Sequence, residues 1–281
     1  MTDSQRPNGE QAALWNDASG RAWVEMQAVL DAMLAPFVAP LVAGASPGEA
    51  AQVLDIGCGA GATTLALARR LGPRGLCLGV DISAPLLAAA RARAASEPLA
   101  SARFREADAQ TYEFQAGAFD AVVSRFGVMF FDDPVAAFAN IRRAARPGAP
   151  LTFVAWRSPA DNAFMTAAAR AVAPLLPSVK PVDPTAPGQF AFADDARVRS
   201  VLRDSGWSDV DVNALDLPGS VSEGDLLAYV TKLGPVGLAL RELDEARRAP
   251  IIAAVHAAYA PYLRGGGAVF SMATWLVRAH A

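Results

Sequence analysis

Between residues 52 and 156 the chain alternates short apolar runs with stretches whose apolar residues recur at helical spacing. The runs are 52–56, 76–80, 102–107, 119–124 and 151–156, each of strand length. Helical patterns fill 62–71 and 83–95, and a third begins at Asp133-Pro134 and stops at Arg146-Pro147-Gly148. Ser83 with Pro85, and Asp133 with Pro134, have the form of helix starts: an oxygen-bearing cap, then proline in the first turn, where its missing N–H costs nothing. Strands joined through helices return to the same end of a sheet, so they pair in parallel. The pattern therefore predicts an α/β fold with a mostly parallel sheet.

Residues 1–11 read as a frayed polar tail without a signal peptide. A helical pattern over 11–42 carries Trp15, Trp23, Met26, Leu30, Met33, Leu34 and Phe37, interrupted by Pro36 and Pro40. The apolar stretch 28–45 contains Asp31 and both prolines, too broken for an expected membrane span. After Trp156 come a loop with five prolines over 174–187, a helix over 194–205 and a short strand at Val210 and Val212. Helices over 222–233 and 239–262, a glycine turn at 264–267 and a last strand over 268–277 complete the chain.

An apolar fraction of 53% supports a sizeable core, and a net charge of −3 argues against non-specific binding to nucleic acid or anionic membrane. Cys58 and Cys77 make no disulfide framework, and with His256 and His280 they give no zinc spacing. The expectation is a soluble cytoplasmic protein with no metal, no nucleic-acid partner and no stable membrane insertion.

The most informative segment is Val53-Leu54-Asp55-Ile56-Gly57-Cys58-Gly59-Ala60-Gly61, after a strand and before a helix. Glycines there allow a tight turn and close approach of a ligand to the main chain. The next strand ends at Asp81, 20 residues past Gly61, where a carboxylate can accept both hydroxyls of a ribose. A dinucleotide site shares this outline. The spacing, however, is G-x-G-x-G rather than G-x-G-x-x-G, and Asp55 would repel a pyrophosphate. Asp55 suits a ligand with an ammonium group and no phosphate, which favours S-adenosylmethionine over NAD. The third strand ends at Glu106-Ala107-Asp108-Ala109, where an acid can accept from the adenine amine and a backbone N–H can donate to the ring. The fourth ends at Ser124-Arg125-Phe126, beside the same crevice.

On these residues the chain resembles the class I S-adenosylmethionine-dependent methyltransferases, in the style of the ubiquinone/menaquinone-biosynthesis branch. VLDIGCGAGATTLALARRLGPRGLCLGVDIS, EADAQ, FDAVVSRFGVMFF and RRAARPGAPLTFVAW carry the likeness, over about 52–156. The resemblance implies a Rossmann-like, seven-stranded, mostly parallel sheet with helices on both faces and an antiparallel last strand. Around it would stand an N-terminal helical lid (1–45), the donor-binding core (46–156), a loop or cap insertion (157–193), a core helix and strand (194–217), a helical cap (218–266) and the final strand (267–281). It implies that Gly57, Cys58, Gly59 and Gly61 hold the methionine moiety of S-adenosylmethionine, with S-adenosylhomocysteine as product. Asp55 would orient the loop, Asp81 would bind the ribose and Ile82 would pack on the adenine. Asp108 and Ala109 would meet the adenine edge, and Ser124 would line the donor site. Trp15 to Trp23 resembles a lid over the donor; as ordinary core aromatics they fit equally well.

Methyl transfer is an in-line displacement in which positioning supplies much of the rate, up to roughly 7–11 kcal/mol in favourable cases. Carbon and oxygen nucleophiles usually also need a base, and none announces itself. His256 and Tyr259, in the expected cap helix, and Arg125 are the candidates for a catalytic role. His256 reads equally as a helix-surface residue, and Arg125 either holds an anionic group or pairs with a nearby acid. Phe164, Phe190, Phe192, Trp207, Tyr229, Tyr259 and Tyr262, with Phe126, Met129, Phe130 and Phe131, are either core or the wall of an apolar acceptor pocket. The Asn/Asp-Pro-Pro signature of DNA amino-methylation is missing after the fourth strand. The expected reaction is thus O-, C- or N-methylation of a small, apolar or aromatic acceptor by a monomer or homodimer. A donor-binding protein without transfer, an enzyme using the sulfonium only as an electrostatic aid, and an NAD-dependent oxidoreductase are the rivals.

Overall fold

The computed structural model describes residues 7–97, 99–177, 183 and 186–281. Half of the proline-rich loop expected over 174–187 (178–182, 184 and 185) lies outside the described residues, as do the first six residues of the expected tail.

The sheet begins with β1 (Gln52–Ile56), β2 (Leu76–Asp81), β3 (Ala102–Glu106), β4 (Ala121–Arg125) and β5 (Pro150–Trp156). It is completed by β6 (Ser208–Ser222), the two-residue β7 (Leu263–Arg264) and β8 (Gly267–His280). Strand order is β3-β2-β1-β4-β5-β8-β6, with β7 paired to β8 off this path. The first five strands pair in parallel, and β8 runs antiparallel to both β5 and β6. The expected Rossmann-like sheet is present.

In β1, Val53 to Ile56 are all buried, as a strand covered on both faces requires. Its side chains alternate between faces: Leu54 and Ile56 join the larger apolar core, and Val53 joins the smaller one. On the smaller side lies α5 (Ala62–Arg70), with Leu65, Leu67 and Ala68 buried. Next come α6 (Ala84–Ser96), capped by Ser83, and α7 (Pro134–Ala144), capped by Asp133. Phe138 on α7 is fully buried against Phe153 and Phe192.

The N-terminal region departs from the expectation. The segment from Asn8 onward is not frayed: Asn8 is 2% exposed, and α1 (Gly9–Asn16) follows it directly. The single pattern over 11–42 is broken into α1, α2 (Ala18–Glu25), α3 (Gln27–Leu34), one tighter turn at Ala35–Phe37 and α4 (Val38–Ala45). The α1–α2 junction is so close that a Cβ on Gly20 would lie 1.9 Å from the Trp15 carbonyl oxygen. By length and hydropathy alone Gln27–Ala45 could cross a membrane. Here Leu30, Met33, Leu34, Phe37 and Leu41 are buried in the larger core.

The cap consists of α8 (Ala163–Val172), α10 (Glu223–Lys232), α11 (Gly234–Arg241) and α12 (Glu245–Tyr259). The helix expected over 239–262 is two helices, because Asp244 caps α12 by accepting from Arg247 N at 3.0 Å. Between sheet and cap lies α9 (Asp195–Asp204). The short strand expected at Val210 and Val212 is the 15-residue β6. Its Asp, Asn, Pro and Gly residues have low strand propensity, but continuous pairing with β8 from Asp211 to Ser222 overrides it. As the edge strand it accommodates Pro218.

Candidate functional site

A cavity of about 450 Å³ opens at the carboxyl ends of β1, β2 and β4, roofed by the N-terminal helices and walled on one side by the cap. It has the size and position of a ligand crevice in an open α/β sheet.

The floor is built from main chain. After β1, Gly57 and Gly59 have φ of 63° and 54°. A Cβ on Gly57 would stand 2.5 Å from the Gly127 Cα, and one on Gly127 would stand 2.6 Å from the Gly57 Cα. The loops after β1 and β4 thus interlock through two glycines. A Cβ on Gly59 would meet nothing, so Gly59 faces open space in the crevice. Gly61 does not line the cavity; at φ 83° it packs against Phe104 and Ala90, where a Cβ would come within 3.0 Å. Its role is to bring α6 and β3 close to the loop.

Three carboxylates stand at successive strand ends. Asp55 is fully buried; its Oδ2 accepts from Thr64 Oγ1 at 2.6 Å, and its Oδ1 has no partner among the described residues. Burial pushes its carboxyl up to about 7, against the Thr64 hydrogen bond and the Arg125 charge, which pull it down. Asp81 accepts from Gly59 N at 2.7 Å and from Ser83 N at 2.8 Å, so it ties the end of β2 to the glycine loop. Burial raises its carboxyl above the usual range, and the backbone N–H groups of Ser83, Gly59 and Ile82 oppose that. Asp108 accepts from Asn8 Nδ2 at 2.8 Å and Gln110 N at 2.9 Å. Cys58, Ile82 and Ala109 also line the cavity, and burial holds the Cys58 thiol in its neutral form.

Ser124 does not line the crevice. It is fully buried, and its Oγ accepts from Gly127 N at 3.1 Å, fixing the turn that brings Gly127 onto Gly57. Phe126, between them, is held at φ 62°. A non-glycine residue there costs of order 1–3 kcal/mol. Its ring stacks on Trp156, centroids 4.3 Å apart, and meets Phe37 edge-on at 5.0 Å.

The roof contains two residues the sequence reading passed over. Asn8, at φ 54°, donates from its backbone N to Asp132 Oδ2 at 2.5 Å and accepts at Oδ1 from Asp132 N at 2.7 Å. Together with its bond to Asp108, this pins the start of α1 to the loop after β3. Asp31 on α3 pairs with Arg93 at 2.8 Å and Arg125 at 3.3 Å. Arg125 therefore pairs with an acid, one of the two readings left open for it. Trp15 and Trp23 line the cavity, edge to face at 5.5 Å, and Trp15 also meets Phe130 at 5.4 Å. Asn16 grips the far side, donating to the Ile82 carbonyl at 2.9 Å.

The cap side is apolar. Phe126, Met129, Phe130, Phe131, Tyr229 and Tyr259 line the cavity, whereas Phe164, Phe190, Phe192, Trp207 and Tyr262 do not. Trp207 donates to the Phe138 carbonyl at 3.0 Å deep in the core. The Tyr259 hydroxyl donates to the Phe164 carbonyl at 3.0 Å, and burial moves its phenol well above the ordinary range. Burial also pushes Tyr229 up to about 12. Neither phenol is a base at neutral pH. His256 lies outside the cavity, its side chain 58% exposed and 3.9 Å from Glu223. The helical phase explains this: Val255 and Tyr259 face inward on α12, and His256 stands about 100° away. Of the three candidates for a catalytic role, Arg125 and Tyr259 line the cavity and His256 does not. Among the described residues no group of three or more His, Cys, Asp or Glu could hold a metal ion.

Comparison with known proteins agrees with this architecture. Residues 53–148 match the family described as "Methyltransferase domain". Nocamycin O-methyltransferase of Saccharothrix syringae is 37% identical over 101 residues, 36% of each chain. Demethylmenaquinone methyltransferase of Thermus thermophilus is 37% identical over 113 residues, 40% of this chain and 50% of that one. The chain thus spans about a third to a half of the length of these curated relatives. The YcgJ protein of Bacillus subtilis has the same fold at a TM-score of 0.58 and 17% identity, covering 86% of this chain and 97% of its own. Residues 53–148 thus form a class I S-adenosylmethionine-dependent methyltransferase domain.

Proposed function

We propose that the protein transfers the methyl group of S-adenosylmethionine to a small, apolar or aromatic acceptor at oxygen, carbon or nitrogen. The observation that carries the reading is the cradle after β1. Gly59 leaves open space in a crevice that Asp55, Asp81 and Asp108 border at successive strand ends. The residues present fit the donor. The partnerless Oδ1 of Asp55 is a buried acceptor suited to an ammonium group. Asp81 would hold the ribose hydroxyls, Ile82 would pack against the adenine, and Asp108 with Ala109 would read its edge. Gly57, Cys58 and Gly59 would contact the methionine portion, and Trp23 with Trp15 would exclude water from above. When bound, the donor supplies a methyl group on a sulfonium, already activated for displacement.

The chain's own contribution is then orientation. The interlocked glycines fix the floor, the strained Phe126 fixes one wall, and the apolar cap confines the acceptor. Such positioning is worth up to roughly 7–11 kcal/mol. The relatives named as an O-methyltransferase and a demethylmenaquinone methyltransferase support a small-molecule acceptor.

Calorimetric titration with S-adenosylhomocysteine, with NAD as control, tests the reading. Micromolar or tighter binding of the thioether and none of NAD is expected. Asp81→Ala should weaken that binding about 100-fold; near-normal affinity would refute the ribose assignment. Incubation with methyl-labelled donor and candidate acceptors then separates a transferase from a protein that only binds.

A further inference from the structure

Arg125 ends β4 and lines the cavity, and its two terminal nitrogens are in opposite conditions. Nη2 donates to Asp31 Oδ1 at 3.3 Å. Nη1 is buried and has no partner among the described residues. A guanidinium presents its donors in a rigid fork matched to carboxylates, so a buried and idle arm calls for an acceptor.

Its counterpart is Asp55, whose Oδ1 is likewise buried and partnerless. The two stand on paired strands, with Asp55 opposite Val123, two residues before Arg125. They form no hydrogen bond, although the Arg125 charge acts on Asp55. Instead Arg125 is held from the lid. Asp31 Oδ2 also accepts from Gln27 Nε2 at 2.8 Å and pairs with Arg93 Nη2 at 2.8 Å. Arg93 Nη1 in turn donates to the Ala60 carbonyl of the glycine loop at 2.6 Å. Lid, loop and α6 thus fix the guanidinium before any ligand arrives, which is the condition for tight recognition. With Asp55 and Asp31 nearby, a singly charged anion fits better than a phosphate dianion.

We infer that Arg125, set in place by Asp31, is the carboxylate receptor of this cavity; the inference rests on the methyl-donor reading above. The carboxylate has two sources. One is the amino-acid head of the donor, whose ammonium Asp55 would take. The other is an acidic acceptor lying against the cap. In either case Arg125 is a binding residue and not an acid–base catalyst.

The test is calorimetry on the full chain, wild type against Arg125→Gln and Arg125→Lys, with thermal melting to confirm that each is folded. The ligands are S-adenosylhomocysteine, its decarboxylated analogue, and, on protein saturated with S-adenosylhomocysteine, 2-naphthoate against 2-naphthamide. If the donor is the source, Arg125→Gln lowers affinity for S-adenosylhomocysteine 10- to 100-fold. The decarboxylated analogue then changes less than threefold, and Arg125→Lys recovers part of the loss. If the acceptor is the source, both adenosyl ligands bind as before, and Arg125→Gln abolishes binding of naphthoate. Equal losses for both adenosyl ligands, or no change for S-adenosylhomocysteine with naphthoate unbound or unaffected, would overturn the inference. Failure of the wild type to bind either adenosyl ligand would instead remove the donor reading itself, and the inference with it.

Discussion

At the glycine-loop end of the cavity, position is set by main chain: Gly57 against Gly127, and N–H groups of Gly59, Ser83 and Gln110 on carboxylates. At the cap end, position is set by side chains drawn from α8, α10, α11 and α12. A backbone-built site tolerates little change, because a Cβ has nowhere to go. A side-chain-built wall can be recut by substitution while the fold survives. On the proposed function, the chain joins a rigid half that would read the donor to an adjustable half that would set which acceptor is admitted.

The largest effect expected from this contrast is that of Gly57→Ala. It meets the Gly127 Cα at 2.5 Å and forces alanine to φ 63°. A loss of about 3–5 kcal/mol in chemical denaturation, with no S-adenosylhomocysteine binding, is the expected outcome. Wild-type stability would break the claim of a backbone-built floor.

Next comes the pH dependence of Asp55. The folded carboxyl keeps its proton up to about 7, whereas the unfolded one releases it near 3.8. The native state therefore binds the extra proton between these values, and stability falls as pH rises through that window, by a few kcal/mol in total. Above about 7 the contribution is flat. Asp55→Asn should flatten the melting temperature between pH 4 and pH 7. An ammonium against Oδ1 would lower the carboxyl's pKa, so titration of the wild type near pH 6.5 should release a proton into the buffer.

Tyr259→Phe sharpens the comparison at the cap end. It removes a buried hydroxyl that donates to the Phe164 carbonyl. The cost should be about 1 kcal/mol of stability, with S-adenosylhomocysteine affinity unchanged. The smallest effect is that of His256→Ala on the exposed side of α12. Methyl transfer and stability should both stay at wild-type levels, and a lost bell-shaped pH profile would return His256 to the catalytic machinery.

The glycine-loop end was legible because its signals are consecutive in the chain. A glycine loop after a strand, then one acid per strand end, follow from the parallel sheet alone. Asn8 and Asp31 escaped because their meaning lies in partners 124, 100 and 94 residues away. Asp31 did leave a trace, a charge inside an apolar helical run, but read only as an interruption. Gly61 and Ser124 were assigned to the ligand from their places beside the crevice; the structure uses them for packing and for a turn, one layer behind it. His256 was readable in principle, since Val255 and Tyr259 at i and i+4 set the buried phase of α12. β6 was hidden because an edge strand with several acids, a proline and a glycine owes its length to its partner.

That partner, β8, lies between β5 and β6 in the sheet but follows both in the chain. From the end of β5 at Trp156 to the start of β8 at Gly267 a ribosome adds about 110 residues, taking about 5–20 seconds at usual rates. Throughout that interval the Leu-Thr-Phe-Val-Ala-Trp stretch of β5 has a bare edge, the kind of surface that recruits another strand or a chaperone. Synthesis, rather than the finished fold, is thus the stage at which this protein is most exposed to aggregation. A chain cut before Gly267 would keep that edge open for good, and its recovery in the soluble fraction would measure the hazard.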